Sequence, residues 1–462
     1  MVMYGWFTLG GTEIANSNRV AAYANTGITA GCTCPDLEAS LGHEPYTDPV
    51  SDHAPWYDPA APQSKDFHGV LGLEINGAAA STLGSEWAEL VGDGGVAGAP
   101  RRASRELEFK VMLLAASEDA LSYGLEWLAS TLEGSECRRG CIGDTLCLYS
   151  GCPTPPLPDG NSCDPTNEPD PEPPPPWDPV EAGDRALRQL FDVSLLEYAD
   201  DPEFSRLTGN TWTATITFTL KAGRPQFHHH PVTIIDSTND DLNPPYRDRI
   251  GGYSPYWEPE CPPLRDCLDS NPYCGNDGPW GPEPFPGSNP RDPILIDPCY
   301  PTGRFTAQRA IYSDHHPGVP RVPRHLEKVP LIEVYTGSRA LHRTTIRWYS
   351  NPNRRPPNPE SLETCDICNE ITIPHIPAWT RVVFDGRTKR VTVECDVNEQ
   401  TGRQRGYQGQ SDVTLYGPYG QHLDWPAFRC GQAMLIELIC QAGTLAPDAR
   451  YRLDWVVRGD AA

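Results

Sequence analysis

Apolar residues recur at every second position in two stretches of the N-terminal half, Leu107, Phe109, Val111, Leu113 and Trp212, Ala214, Ile216, Phe218, Leu220. A period of two puts them on one face of an extended chain, so both stretches predict half-buried strands of antiparallel sheets. Between them the period changes to that of a helix. Leu121, Leu125, Leu128 and Leu132 form a stripe with Trp127 beside it, Ser117 stands at the N-cap position and Gly134 just past the end. The prediction is one helix packed on a sheet. Beyond residue 304 the signals are nearly all strand: Leu331 to Tyr335, Thr344 to Tyr349, Val382 to Phe384, Arg390 to Glu394, Val413 to Tyr416, Met434 to Ile439 and Tyr451 to Val457. Asp385-Gly386 predicts a two-residue hairpin turn between two of them. Seven or so short strands read as a β-sandwich of about 150 residues, and the fold class is mainly β with a minor α component.

Proline divides this pattern, because it fixes φ and removes a ladder donor. Pro153 to Pro179 contains four consecutive prolines, Pro173 to Pro176, and reads as a polyproline-like loop inserted into a domain. Pro244 to Pro301 holds fifteen prolines among Tyr246, Tyr253, Tyr256, Trp257 and Trp280. That stretch reads as an interdomain connector whose aromatics and Cys261, Cys267, Cys274 and Cys299 pin it to a surface. The expected organisation is an N-terminal β domain over 1–235 with the insertion at 153–179, a connector over 236–304 and a β-sandwich over 305–462.

Charge narrows the class of partner. Against 37 basic side chains stand 62 acidic ones, a net charge of −25 over 462 residues. No basic stripe is present, which argues against nucleic acid and anionic lipid as ligands. Apolar runs such as Val111 to Ala116 fall far short of the ~20 residues needed to cross a bilayer, so no membrane insertion is expected. The opening Met1 to Trp6 lacks a basic and then apolar leader, and synthesis in a cytoplasm is the expectation. Five lysines among the 37 basic residues, with abundant Ala, Gly, Pro and Arg, suggest a GC-rich genome.

Candidate chemistry is sparse. Gly92 to Gly98 lacks the spacing of a phosphate loop and precedes Pro100 and a strand, so it reads as a loop beside that strand. His228-His229-His230 precedes Pro231; neighbours on a strand face opposite ways, so the three cannot share one ion, and an exposed strand end is expected. His43 and His53 lie among Glu44, Asp48, Asp52 and Asp58, a set that a turn-rich polar loop explains as well as a hydrolytic metal site does. No nucleophile elbow, Walker loop or zincin motif occurs, and no catalytic residue is nominated. Cysteine stands out, with sixteen in clusters. Cys365-Asp366-Ile367-Cys368 is a chelating turn that Cys395 and Cys430 would complete as a tetrahedral thiolate site for a structural Zn²⁺; disulfides and buried thiols are the alternatives. The run Cys137, Cys141, Cys147, Cys152, Cys163 reads as a loop stapled by disulfide or metal, with pairs unassigned.

The opening Gly5-Trp6-Phe7-Thr8-Leu9-Gly10-Gly11-Thr12-Glu13-Ile14-Ala15-Asn16-Ser17-Asn18-Arg19-Val20-Ala21-Ala22-Tyr23 resembles the start of minor tail proteins of long-tailed actinobacteriophages. Further segments are similar as well. They are Leu41 to Tyr46 through Ala54 to Asp58, Gly92 to Arg102, and Gly143 to Pro153. The C-terminal half adds Trp348 to Pro352, Cys365 to Cys368, Ile373 to Pro377 and Trp425 to Gly431. The order of elements is also similar to distal tail proteins, in which a β-rich domain with one helix forms a ring under the tail tube and a galectin-like sandwich projects outward. The resemblance implies a virion protein of a siphovirus tail tip: a homo-oligomeric ring, hexameric in the family. It would touch the tail tube protein through its N-terminal domain and tail-tip hub, receptor-binding and other minor tail proteins through its C-terminal one. No enzymatic activity is implied. The alternative reading is a module binding host cell-wall glycan through Trp348, Trp379 and Trp425, and the third a cell-wall-degrading enzyme. Surface exposure of those tryptophans would favour the second; core burial is expected.

Overall fold

The structure, a computed structural model, describes residues 5–24, 34, 37–89, 91, 93–134, 143–153, 178–198, 202–207, 211–236, 305–312, 326–351, 367–394, 397–398, 403–404, 408–410, 425, 428–429, 433–441 and 449–460. It is mainly β with a minor α component. Two compact units are present, residues 1–230 with 458–462, and residues 231–457. The proline-rich stretches lie outside the described residues, apart from Pro153, Asp178 and Pro179 at the ends of the first.

The first unit is built on the two strands with the clearest alternation. Arg105–Ala115 and Trp212–Ala222 pair antiparallel over eleven residue pairs, from Trp212 opposite Ala115 to Ala222 opposite Arg105. Leu107, Phe109, Val111 and Leu113 on one strand and Ala214, Ile216, Phe218 and Leu220 on the other are buried, as period two requires. Phe109 stacks on Phe218 with ring centroids 5.3 Å apart. Against this face packs the helix Glu118–Glu133, with Ala120, Leu121, Gly124, Leu128 and Leu132 buried. Its Ser117 side chain accepts from the Ala120 amide, and Gly134 ends it. Gly124 is needed because a Cβ there would come within 2.3 Å of the Phe67 ring.

The remaining elements extend this sheet. Phe67–Asn76 pairs with the outer edge of Arg105–Ala115, and its first half is buried on both faces, from Phe67 to Gly72 apart from half-buried His68, while Glu74 and Asn76 are exposed. On the side away from the long helix lies Ser17–Ala24, whose Val20 and Ala24 pack on Leu71 and Leu114. Leu187–Tyr198 pairs with Trp212–Ala222 and with Asp144–Tyr149, which pairs with Trp6–Leu9 of an N-terminal hairpin closed by Thr12–Asn16. The apolar pattern signals neither this hairpin nor the short helices Ser17–Ala24, Leu37–Ser40 and Pro179–Ala186, whose stripes are one or two turns long.

Among the described residues the second unit holds two larger antiparallel sheets, the composition of a β-sandwich, and a short ribbon of Val397–Asn398 with Arg403–Gln404. One runs Phe305–Tyr312, Ala433–Gln441, Leu341–Asn351, Ile367–Ile376. The other contains Glu327–Tyr335, Arg381–Asp385 and Arg390–Glu394, with Val232–Asp236 paired to Arg452–Trp455. Ile346, Trp348, Ile371 and Ile373 of the first and Val334, Val382 and Phe384 of the second are buried. The expected strand at Val413 to Tyr416 lies outside the described residues.

The hairpin at Asp385-Gly386 forms, but not with a two-residue turn. Asp385 still pairs with Arg390, so Gly386 to Lys389 make a four-residue connection in which Lys389, not Gly386, takes positive φ. The Asp385 carboxylate accepts from the Arg387 amide and guanidinium at 2.9 Å, holding the longer loop.

Candidate functional site

The thiolate set falls largely outside view. Cys365, Cys395 and Cys430 lie outside the described residues, and for Cys368 only its place on the Ile367–Ile376 strand is described. Among the described residues no group of three or more His, Cys, Asp or Glu is placed to hold a metal ion. Trp348, Trp379 and Trp425 form no common patch: Trp348 is fully buried, Trp425 is half-buried and Trp379 is exposed. No helix among the described residues is long and apolar enough to cross a membrane.

His228-His229-His230 is not the exposed strand end that its polarity suggests. Phe227–His229 pairs with Leu187–Tyr198 on one side and with Arg458 and Gly459 on the other. His228 is therefore buried, its ring edge-on to Phe191 at 5.2 Å, while His230 is exposed. Burial, aided by the charge of Arg188 opposite it, pushes His229 down to about 4. Tertiary pairing overrides the local signal here.

What the fold does assemble is a polar network at the N-terminal hairpin. The hairpin and the helix after it place Glu13, Asn16, Arg19 and Tyr23 side by side, and the 41–58 loop lies against them. The Arg19 guanidinium meets Glu13 at 2.8 Å with both side chains at least nine-tenths buried. Glu13 also accepts from the Trp6 indole at 3.2 Å and from Asn16 at 2.9 Å. Asn16 donates to the Tyr46 hydroxyl, Arg19 lies over the Tyr46 ring at 4.2 Å, and the His43 ring nitrogen is 2.8 Å from the same hydroxyl. Arg19 donates to the Tyr23 hydroxyl, which donates to Asp52 at 2.8 Å, and Asp52 also accepts from the amide and hydroxyl of Thr47. Asp48 caps the amides of Val50 and Ser51.

The electrostatics are those of a closed network. Burial alone would lower Arg19, but Glu13 and the Tyr23 hydroxyl outweigh it and hold the guanidinium above its ordinary range. Burial opposes the charge on Asp52, yet the donors from Thr47 and Tyr23 keep its carboxyl below the usual range. Burial, reinforced by Glu13, pushes Tyr46 up to about 12. A cleft of about 750 Å³ opens beside the network, lined by Glu13, Arg19, His43, Glu44, Asp52 and His53 among others. Glu13, Asp52 and His43 are each engaged in the bonds above, and the hydroxyls of Tyr46, Thr47 and Ser51 are bonded to His43, Asp52 and Asp48 in turn. The network joins the N-terminal hairpin, the helix after it and the 41–58 loop. Glu13 and Arg19 escape sequence reading because a spacing of six, across a hairpin end and a helix start, has no periodic signature.

A second junction adjoins it. Cys34 and Cys152 form a disulfide across 118 residues, in a cluster with Trp6, Leu37 and Tyr149 and with Cys147 half-buried beside it. Trp6 and Tyr149 rings lie 4.9 Å apart. Three of the segments that carry the resemblance, 5–23, 41–58 and 143–153, thus converge here: the first two share the network and the third reaches Trp6 through Tyr149 and Cys152. Of Gly92 to Gly98, residues 93–98 lie elsewhere and form no plain loop: Gly95–Ala97 pairs with Trp87–Glu89 at the end of an exposed two-stranded ribbon whose described residues fall within about 81–104.

No family model matches the sequence, and no curated protein matches it. Among solved structures the chain is similar to the Dit protein of phage SPP1, described as a paradigm of the hub adsorption apparatus in phages infecting Gram-positive hosts. The identity is 10% and the TM-score 0.28, over 81% of this chain and 94% of that one. It is also similar to a chain of the phage P2 baseplate in its activated conformation, solved with Ca and with Sr, at 11% identity and TM-score 0.34 over 85% and 92%. At such identities the likeness assigns no role to any residue of this chain.

Proposed function

We propose that this chain is a distal-tail-type minor tail protein of a bacteriophage: a structural component of the virion tail tip, without catalysis. Copies of it form a ring that joins the tail tube protein to tail-tip hub and receptor-binding proteins. One observation carries the reading. Three of the segments resembling minor tail proteins fold into a buried, hydrogen-bonded and disulfide-linked junction within a β-rich unit, as a scaffold requires. A second strand-built unit supplies a separate surface for the outward partners.

The test is the mass of the full chain under native conditions, with immunogold labelling of the particle. A closed oligomer and label at the tail tip are expected. A monomer at every concentration together with label elsewhere on the virion would overturn the reading. Zinc content and free-thiol titration on the same sample test the Cys365, Cys368, Cys395 and Cys430 set: about one zinc per chain supports the metal site, and four oxidised cysteines refute it.

A further inference from the structure

The ribbon within residues 81–104 does not simply continue the sheet beneath it. The ladder between Phe67–Asn76 and Arg105–Ala115 ends with Asn76 opposite Glu108, and pairing resumes with Leu83 opposite Arg102. Among the described residues one backbone bond outside the strands crosses the break, from the Ala103 amide to the Thr82 carbonyl. The break starts at Gly77, whose φ is +84° and where a Cβ would stand 2.1 Å from the Glu106 carbonyl oxygen. Such a break is a hinge. Beyond it the ribbon exposes Leu83, Trp87 and Val96, and an isolated two-stranded ribbon is at best marginal in water.

Residues 458–460 are lodged at this break. Arg458 pairs with His228 and Gly459 with Phe227, which carries Asp460 to the root of the ribbon. The Asp460 carboxylate takes Arg102 in an ion pair and accepts from the Ser81 hydroxyl at 2.8 Å, so it grips one residue on each arm. Its backbone carbonyl accepts from Arg105, whose guanidinium also donates to the Ala78 carbonyl and lies over the Phe227 ring at 4.7 Å. The Arg105 side chain is 1% exposed, and among the described residues Asp460 is the one carboxylate within 4 Å of it. Burial holds Arg105 below its ordinary range; Asp460 counters that, and Arg102 adds to it. Withdrawing residues 458–460 strands that buried charge and leaves the arms joined across the break by the Ala103 bond.

The bond from Arg105 to Asp460 spans 355 residues, and residues 231–457 within that span form the second unit. While they are unfolded, docking residues 458–460 closes a very long loop against its entropy. Once they fold, Val232 pairs with Trp455, so the chain that leaves the first unit at His230 and the chain that re-enters it at Arg458 are already side by side. Folding of the second unit thus meets the closure cost in advance.

We infer that residues 458–460 are a strap that fixes the ribbon at its hinge, and that folding of the second unit sets the strap. Until residues 231–457 have folded and returned Asp460 to the root, the ribbon swings about residues 77–82 and 103–104. A chain with an unfolded second unit therefore carries a folded first-unit core and a loose ribbon. The device belongs to the free chain and holds whatever the ribbon meets.

The test is hydrogen exchange of the full chain at the Gly98 and Ala103 amides, which bond to the Glu86 and Thr82 carbonyls. Asp460→Ala is expected to speed exchange at both on the order of tenfold or more, and to leave the amides of Val111 to Ala115 and Trp212 to Ile216 unchanged. Asp460→Asn keeps an acceptor for Ser81 but loses the charge, and is expected to fall between the parent and Asp460→Ala. Phe384→Ala opens a cavity at a buried position of the second unit. It is expected to speed Gly98 and Ala103 in step with the amides of Glu327–Tyr335, while the two long strands of the first unit keep their protection. Unchanged exchange at Gly98 and Ala103 in Asp460→Ala would overturn the strap. An equal rise along Val111 to Ala115 would also overturn it, because Asp460 would then support the whole unit and not the hinge. Free exchange of Glu327–Tyr335 in urea with Ala103 still protected would overturn the dependence of the strap on the second unit.

Discussion

The Glu13 and Arg19 pair shows how much one buried contact can decide. Replacing Arg19 by Ala leaves Glu13 charged and nine-tenths buried with only the Trp6 and Asn16 donors, and removes the cation over Tyr46. The expected loss is about 3 to 5 kcal/mol in urea unfolding, the cost of stranding a buried charge. Gly124→Ala tests the opposite intuition. Intrinsic propensity favours Ala in a helix interior by about 1 kcal/mol. Here the added Cβ meets the Phe67 ring in the core, so the variant is expected to be less stable by about 1 to 3 kcal/mol, read as a lowered melting temperature. At this scale the sequence was partly legible. Asp48 and Asp58 proved to be turn-capping residues, as their neighbours suggest, whereas the bond from Tyr23 to Asp52 links residues 29 apart and follows only from the fold.

Between elements, the disulfide and the short His strand make separate predictions. Reduction, or Cys34→Ser, frees a closure of 118 residues, and the expected destabilisation is about 3 to 5 kcal/mol. Melting with and without a thiol reductant measures it, and an unchanged midpoint would refute a formed bond. His229 has a folded-state value of about 4 against 6.5 for the free side chain. The unfolded chain then binds the extra proton between these values, so the contribution is complete above about pH 6.5 and is lost as pH falls towards 4. At most about 3 kcal/mol is involved. Burial of His68 acts in the same direction. The fall in melting temperature from pH 7 to pH 4.5 should shrink in His229→Gln. Element prediction succeeded where a buried face runs for several periods, in Arg105–Ala115, Trp212–Ala222 and Glu118–Glu133. It missed the Trp6–Leu9 and Thr12–Asn16 hairpin because four or five residues are too few to show a period.

For the whole molecule, a net charge of −25 sets the conditions of assembly. Copies brought together repel one another, and salt screens that repulsion over a Debye length of about 10 Å at 0.1 M. Self-association is therefore expected to strengthen as ionic strength rises from about 0.02 to 0.2 M, measured by sedimentation. Weakening over that range would mean that attraction between opposite charges dominates the contact over apolar burial.

The amino-acid pattern alone determined the β-rich class, the long helix with its Ser117 cap and the core faces of the two longest strands, because alternation over several residues leaves only one face to bury. The phage-tail resemblance rests on particular segments of the sequence and not on its periodicity. Only the tertiary structure decided that three of those segments meet in one junction, that Cys34 pairs with Cys152, that His228 goes inside, and that residues 81–104 stand out as an anchored ribbon. Each depends on residues far apart in sequence reaching one another. Such contacts are set by sheet pairing and burial and leave no local period to read.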